Sequence, residues 1–164
     1  MKRKTALYGL LVALAFIFSY LESLLPLSVG IPGIKLGLAN GVVLVALYLL
    51  HPRDALIISV VRILLAGLTF GSPASMLYSL SGGLLSFLIM WLCRRSGRFS
   101  VVGTSIAGGV SHNIGQLMMA AVAMQTVYIV WYIPVLLVAG VITGGLIGLL
   151  CRGLLPRLER LLHH

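Results

Sequence analysis

The chain has 164 residues, of which 60% are hydrophobic and only 9% charged, and its mean hydropathy is +1.11. Soluble domains carry about 25% charged residues, so a water-facing exterior cannot be built from this composition, and the length suits one bundle of about six membrane helices with no second domain. Twelve Lys and Arg against three acidic residues give a net charge of +9, but no basic stripe interleaved with aromatics is present, which argues against nucleic acid.

Six apolar runs follow one another, at 6–25, 36–50, 55–71, 73–93, 100–124 and 134–155. The first comes after Lys2, Arg3 and Lys4 and carries small-residue pairs at spacing four, Gly9/Ala13 and Ala15/Ser19, with Glu22 near its end. It contains an Ala13-Leu14-Ala15 pattern of the kind found at signal cleavage sites. The apolar stretch before that pattern is short and continues well past it, so the run is read as a retained helix. The break at 26–35, PLSVGIPGIK, is rich in turn formers and ends on Lys35. The second run opens with Gly33, Gly37 and Gly41 at spacing four and includes Asn40.

The third run begins after HPRD (51–54) and places Ser59, Arg62, Ala66 and Thr69 on one helical face; Gly67 and Gly71 form a further pair. In the fourth, Ser75, Ser79, Gly82 and Ser86 share a face, and RRSGR (94–98) closes it. The fifth carries Ser105, Gly109, His112 and Gln116 on one stripe with Asn113 beside it. QTVYIVWYI (125–133) follows, where Tyr128, Trp131 and Tyr132 suit an interfacial aromatic belt. The sixth run repeats glycine at 140, 144 and 148. Spacing of four lets backbones approach closely in lipid, where packing and not the hydrophobic effect joins helices. These faces serve either internal packing or the docking of a second membrane protein.

Placement of charge sets the expected topology. With the N-terminus on the cytoplasmic side, ten of the twelve basic residues fall in inner segments and only Lys35 in an outer one, while Arg62 lies within a span. This is the positive-inside asymmetry, and it predicts an all-α, multi-pass membrane bundle of six helices with both termini inside.

Polar groups inside spans cost several kcal/mol unless paired or wet, so the three polar stripes imply a polar interior. Counted from the inner edge at about 1.5 Å per residue, Arg62 lies roughly 12 Å deep, His112 roughly 17 Å and Glu22 roughly 25 Å. That separation makes a direct Arg62–Glu22 pair look too long. Arg62 is expected to extend towards His112, Asn113 and Gln116, with Ser79 nearby and Glu22, Lys35 and Asn40 rimming an outward-opening cavity. Each of these eight residues is a candidate ligand contact. The alternative is a purely structural role, as interhelical hydrogen bonds or interface markers.

The residues lend little support to catalysis. The chain has no G-x-x-x-x-G-K-[ST] phosphate loop. Asp54 is the sole aspartate, too few for an aspartate-rich magnesium-diphosphate site. Cys93 and Cys151 show no metal-ligand spacing, and no cofactor or metal site is expected.

Several segments carry a family likeness: Ile31-Pro32-Gly33-Ile34-Lys35-Leu36-Gly37-Leu38-Ala39-Asn40, Arg62 followed by Gly67 and Phe70-Gly71, Tyr78-Ser79-Leu80-Ser81-Gly82-Gly83, and Ser111-His112-Asn113-Ile114-Gly115-Gln116. They resemble small bacterial membrane proteins known as the Gx transporter family or heptaprenyl diphosphate synthase component I, over nearly the whole chain. In overall shape that family is similar to the S-components of energy-coupling factor transporters, six-helix subunits that capture a vitamin-like micronutrient in their outer half and work with a transmembrane subunit and two ATPases. S-components often show an A-x-x-x-A face on the first helix, where this chain has Gly9 and Ala13. The synthase label implies prenyl diphosphate as ligand and a soluble catalytic subunit as partner. The likeness also implies a bacterial cytoplasmic membrane location and, as a further role, a quinone- or flavin-linked electron-transfer assembly. The expectation is a substrate-binding membrane subunit for a small anionic or amphipathic ligand, with a non-catalytic synthase component as the alternative.

Overall fold

The computed structural model describes residues 2–24, 37–126 and 128–163. They form six α-helices and one 3-10 turn: α1 Lys2–Leu24, α2 Asn40–Leu49, α3 Pro52–Thr69, α4 Pro73–Ser96, α5 Val101–Met124, the turn Tyr128–Tyr132, and α6 Ile133–His163. The all-helical expectation is met, and each apolar run corresponds to a helix. The starts follow from local chemistry. Ser72 and Ser100 accept hydrogen bonds from the backbone N–H groups of Ser75 and Gly103, both at 3.1 Å, and so cap α4 and α5. Pro52 and Pro73 sit in the first turns of α3 and α4, where their missing N–H costs nothing. Gly97 ends α4 in the left-handed conformation.

Two helices differ from their sequence runs. The α2 helix begins at Asn40 instead of 36, with Gly37 at φ 83° bending the chain immediately before it. The α6 helix continues past 155 and through Pro156. The segment after Pro156 is rich in Arg, Leu and Glu, which favour helix, and Leu155 and Leu158 are held against the core.

Among the described residues, three helices contain stretches long and apolar enough to cross a membrane, Ala6–Leu24, Pro73–Ser96 and Ile133–Arg160. The hydropathy of α3 and α5 is diluted by polar residues, but those residues point inward: Ser59 and Arg62 on α3, and Thr104, Ser105, His112, Asn113 and Gln116 on α5 are all buried. Their outer faces carry Ile57, Leu64, Leu65 and Leu68, and Ile114, Met118 and Val122. An apolar exterior with polar side chains turned inward beside an apolar core departs from the arrangement of a water-soluble protein.

The short α2 is the axis of the bundle. Asn40 through Leu47 are buried without interruption, and α2 touches α1, α3, α4, α5 and α6. Around it the outer helices follow in the order α1, α3, α4, α5, α6, each packed on the next. Among the described residues α1 and α6 do not meet, so the ring is open between them and α2 forms the floor of the gap.

Close packing is concentrated at α5. A Cβ on Gly144 would lie 2.8 Å from the Ile106 Cα, and one on Gly148 2.8 Å from the Val102 Cα, so the α6 glycine stripe seats directly on the α5 backbone. On the other side of α5, a Cβ on Gly115 would come within 2.9 Å of the Gly82 Cα on α4. These approaches leave room for hydrogen atoms only, as small-residue packing in lipid requires.

Candidate functional site

The polar stripes of α3, α4 and α5 converge on the N-terminal end of α2. Arg62 is the centre: it is 4% exposed and its Nη1 donates to Ser19 Oγ of α1 at 3.2 Å, while Nη2 donates to Asn40 Oδ1 of α2 at 3.0 Å. Asn40 Nδ2 in turn donates to Ser86 Oγ of α4 at 3.1 Å, and Ser86 donates to the Gly108 carbonyl of α5 at 2.8 Å. One relay of side chains therefore ties five helices together. Buried polar groups need such partners, because an unsatisfied one costs its full desolvation penalty. Arg62 Nε is an exception, buried with no hydrogen-bond partner among the described residues.

Glu22, also buried, accepts the backbone N–H of Gly37 and attracts the Arg62 guanidinium electrostatically. A carboxylate at this point complements the partial positive charge at the start of α2. At the far end of the same helix Arg94 donates to the carbonyls of Leu47 and Tyr48, the latter at 3.3 Å, with its guanidinium 5.1 Å from the Tyr48 ring centre. Thus an acid sits at the amino end of α2 and a base caps its carboxyl end. Ten residues at 1.5 Å each make α2 about 15 Å long, about half the thickness of a bilayer core.

His112 lies beside this cluster, between two glycines. A Cβ on Gly37 would be 3.1 Å from His112 Cδ2, and one on Gly82 would be 3.1 Å from His112 Cε1 and 2.7 Å from Gln116 Cγ. At Gly82 a Cβ would also lie 2.7 Å from the His112 carbonyl oxygen, so that position admits no side chain, and Gly37 is favoured by its positive φ, which a side chain would strain. Asn113 turns the other way. Its Nδ2 donates to the Leu136 carbonyl of α6 at 2.7 Å, and its Oδ1 is buried without a partner among the described residues.

The residues picked from the sequence therefore divide. Arg62, Asn40, Glu22 and His112 gather around the start of α2, with Gln116 beside His112. Asn113 joins α5 to α6 instead, and Ser79 is buried on α4 one turn from Gly82 and Gly83. Lys35 and the 26–35 break lie outside the described residues.

Arg62 is expected from the sequence to extend towards His112, Asn113 and Gln116; the hydrogen bonds of its guanidinium go to Ser19 and Asn40, and Glu22 attracts it. The reason is axial register. Tyr8 donates to Asp54 Oδ2 at 2.9 Å, so α1 starts about a turn further towards the basic end than α3, and measuring each helix from its own edge overstates the Arg62–Glu22 gap. With Tyr8 and Asp54 level, the gap along the axis shrinks from about 13 to about 9 Å, and Glu22 acts on the guanidinium through its charge. Ser19 and Ser86 as relay partners, and Arg94 as the cap of α2, were missed as functional positions. Ser86 had a signal, its place on the α4 serine stripe.

An apolar groove of about 450 Å³ occupies the gap between α1 and α6. Among the described residues no group of three or more potential metal ligands is present.

Helices with apolar outer faces, packed around a buried arginine cluster, define a helical membrane protein. Within that class, the chain belongs to the heptaprenyl diphosphate synthase component I family, which it matches over residues 11–154. No curated protein and no solved structure matches it.

Proposed function

We propose that this chain is a six-span bacterial membrane subunit, with both ends in the cytoplasm, that binds a small anionic or amphipathic ligand at Arg62 and the N-terminal end of α2. The observation that carries this reading is a guanidinium 4% exposed to solvent that still has an unpartnered Nε among the described residues. A cation so desolvated is expensive in a membrane and marks function by default. The amino end of a helix at mid-depth adds oriented N–H groups, an arrangement suited to anions. Glu22 holds that place in the unliganded chain, and an anionic ligand displaces it. His112 and Gln116 supply hydrogen bonds.

The orientation is supported by the gathering of Arg53, Arg94, Arg95, Arg98, Arg152, Arg157 and Arg160 in breaks and ends that the positive-inside bias assigns to the cytoplasm. In the transport setting the subunit acts like an S-component, with ATPases supplied by other chains. Mass spectrometry of small molecules retained by the purified protein identifies the ligand. That ligand then raises the unfolding temperature of the wild type, and it fails to do so for Arg62→Lys, which keeps charge but not the guanidinium fork, and for His112→Ala. Undiminished stabilisation in both variants overturns the site.

A second reading is favoured by the family match: a non-catalytic membrane component of a polyprenyl diphosphate synthase. Co-purification separates the two settings. Recovery of ATPases with the tagged chain supports transport, and recovery of a soluble prenyl synthase supports the second.

A further inference from the structure

The interior of the bundle holds few charges. Among the described residues Glu22 is the only buried carboxylate and Arg62 the only buried side chain with a permanent positive charge. The buried stripe of α1 runs through Leu11, Ala15, Ser19 and Glu22 at helical spacing, while Ser23 and Leu24 beyond it are exposed, so the acid enters the cluster from the last turn of its helix. In a low-dielectric interior a lone charge is far more costly than a matched pair. Glu22 therefore supplies the negative charge that Arg62 needs when nothing else is bound.

The donors that meet this charge set the shape of what can replace it. The N–H groups of Asn40, Gly41 and Val42, which open α2, are taken by the carbonyls of Gly37, Leu38 and Ala39 at 2.9, 3.1 and 3.2 Å. What remains for an anion is the Gly37 N–H, which Glu22 Oε1 accepts, and the guanidinium of Arg62, whose buried Nε has no partner among the described residues. One peptide N–H and one guanidinium edge match the two oxygens of a carboxylate. A single negative charge exchanges for that of Glu22 and leaves the buried charge unchanged, whereas a diphosphate would leave the interior negative.

We infer that the ligand of this site is a compound bearing a single carboxylate, and that Glu22 is its built-in competitor. The ligand's carboxylate takes the Gly37 N–H and pairs with Arg62, while the Glu22 side chain turns out towards the exposed end of α1. This deepens, and rests on, the reading of Arg62 and the start of α2 as the binding site.

Glu22→Ala removes from the site the atoms of one acetate ion, the Cγ methylene and its carboxylate, so sodium acetate is the probe. Thermal unfolding of the full chain is followed in detergent micelles at about pH 8, above the range in which an ordinary imidazole carries charge, with sodium chloride holding the ionic strength constant. Glu22→Ala unfolds at a lower temperature than the wild type, and acetate raises that temperature saturably by about 5 °C. The wild type, whose own carboxylate holds the place, shows no such rise over the same concentrations. Acetamide, of the same shape but uncharged, has no effect, and adding Arg62→Met to Glu22→Ala abolishes the response to acetate. Where the alanine variant does not fold, the series is read on Glu22→Gln, which fills the space without the charge and gives a smaller rise with acetate. An absent or non-saturating rise, an equal rise with acetamide, or a rise that survives Arg62→Met overturns the carboxylate assignment. The binding site itself is judged separately. If phosphate or diphosphate stabilises Glu22→Ala through Arg62 and acetate does not, the ligand class is wrong and the site stands; if no anion acts through Arg62, the site falls with it.

Discussion

The two halves of the bundle are held together by different means. In α4, α5 and α6, glycines bring backbones into direct contact at Gly82/Gly115, Gly144/Ile106 and Gly148/Val102. In α1, α2 and α3, an apolar cluster that includes Leu11, Ala15, Val43, Leu47 and Ile58 is joined by side-chain hydrogen bonds through Arg62, Asn40, Ser19 and Glu22, and the neighbouring wall is open to the groove. The difference separates scaffold from site. Backbone-close crossings hold one geometry, because any separation forfeits the dispersion contacts that replace the hydrophobic effect in lipid. Polar joints can exchange one partner for another, which is what displacement of Glu22 by a ligand requires.

The largest effect that tests this contrast is at its polar centre. Arg62→Ala leaves Glu22 and Asn40 without their cation and is expected to cost about 3–5 kcal/mol, read as a lower unfolding temperature in detergent micelles. Arg62→Met combined with Glu22→Gln removes both charges and recovers most of that loss. Failure of the double variant to recover would mean that the two groups do not share one electrostatic unit.

On the scaffold side, Gly144→Val drives a side chain into the α5 backbone and is expected to cost about 1–3 kcal/mol. Gly9→Ala on α1, where a Cβ meets nothing within 4 Å, stays within about 0.5 kcal/mol. Equal losses at the two glycines would erase the distinction between the halves. Asn113→Ala removes the hydrogen bond to the Leu136 carbonyl, and membrane double-mutant cycles set the scale at about 0.6–1.7 kcal/mol. Its loss should appear in unfolding temperature while leaving ligand-induced stabilisation intact, since Asn113 faces α6. A small effect is expected of Arg94→Leu, which uncaps the carboxyl end of α2 at a cost of about 0.3–1 kcal/mol, visible as faster amide exchange at the residues after Leu47.

Much of this was legible one helix at a time. Periodicity put Ser59 and Arg62 on one face of α3, and His112 and Gln116 on one face of α5, and those faces are the buried ones. The glycine stripe of α6 was equally visible and does pack helix on helix. What periodicity could not supply was position along the axis. Measuring each span from its own polar edge aims Arg62 at His112, Asn113 and Gln116, whereas the Tyr8–Asp54 contact offsets α1 from α3 and brings Ser19 within reach. Asn113 shares its neighbourhood in sequence with His112 but lies about 100° further round the helix, and only the place of α6 made that rotation matter.

The sequence by itself determined that the chain is helical, that its exterior is apolar and which face of each helix turns inward, because those properties depend on composition and on the 3.6-residue period alone. The tertiary structure decided that α2 is a half-length helix at the centre of the bundle, that Glu22 and Arg62 each bond to the chain at its amino end, and that α1 and α6 stand apart. Axial offsets and gaps between helices depend on how every neighbour packs at once, and no single stretch of sequence carries that sum.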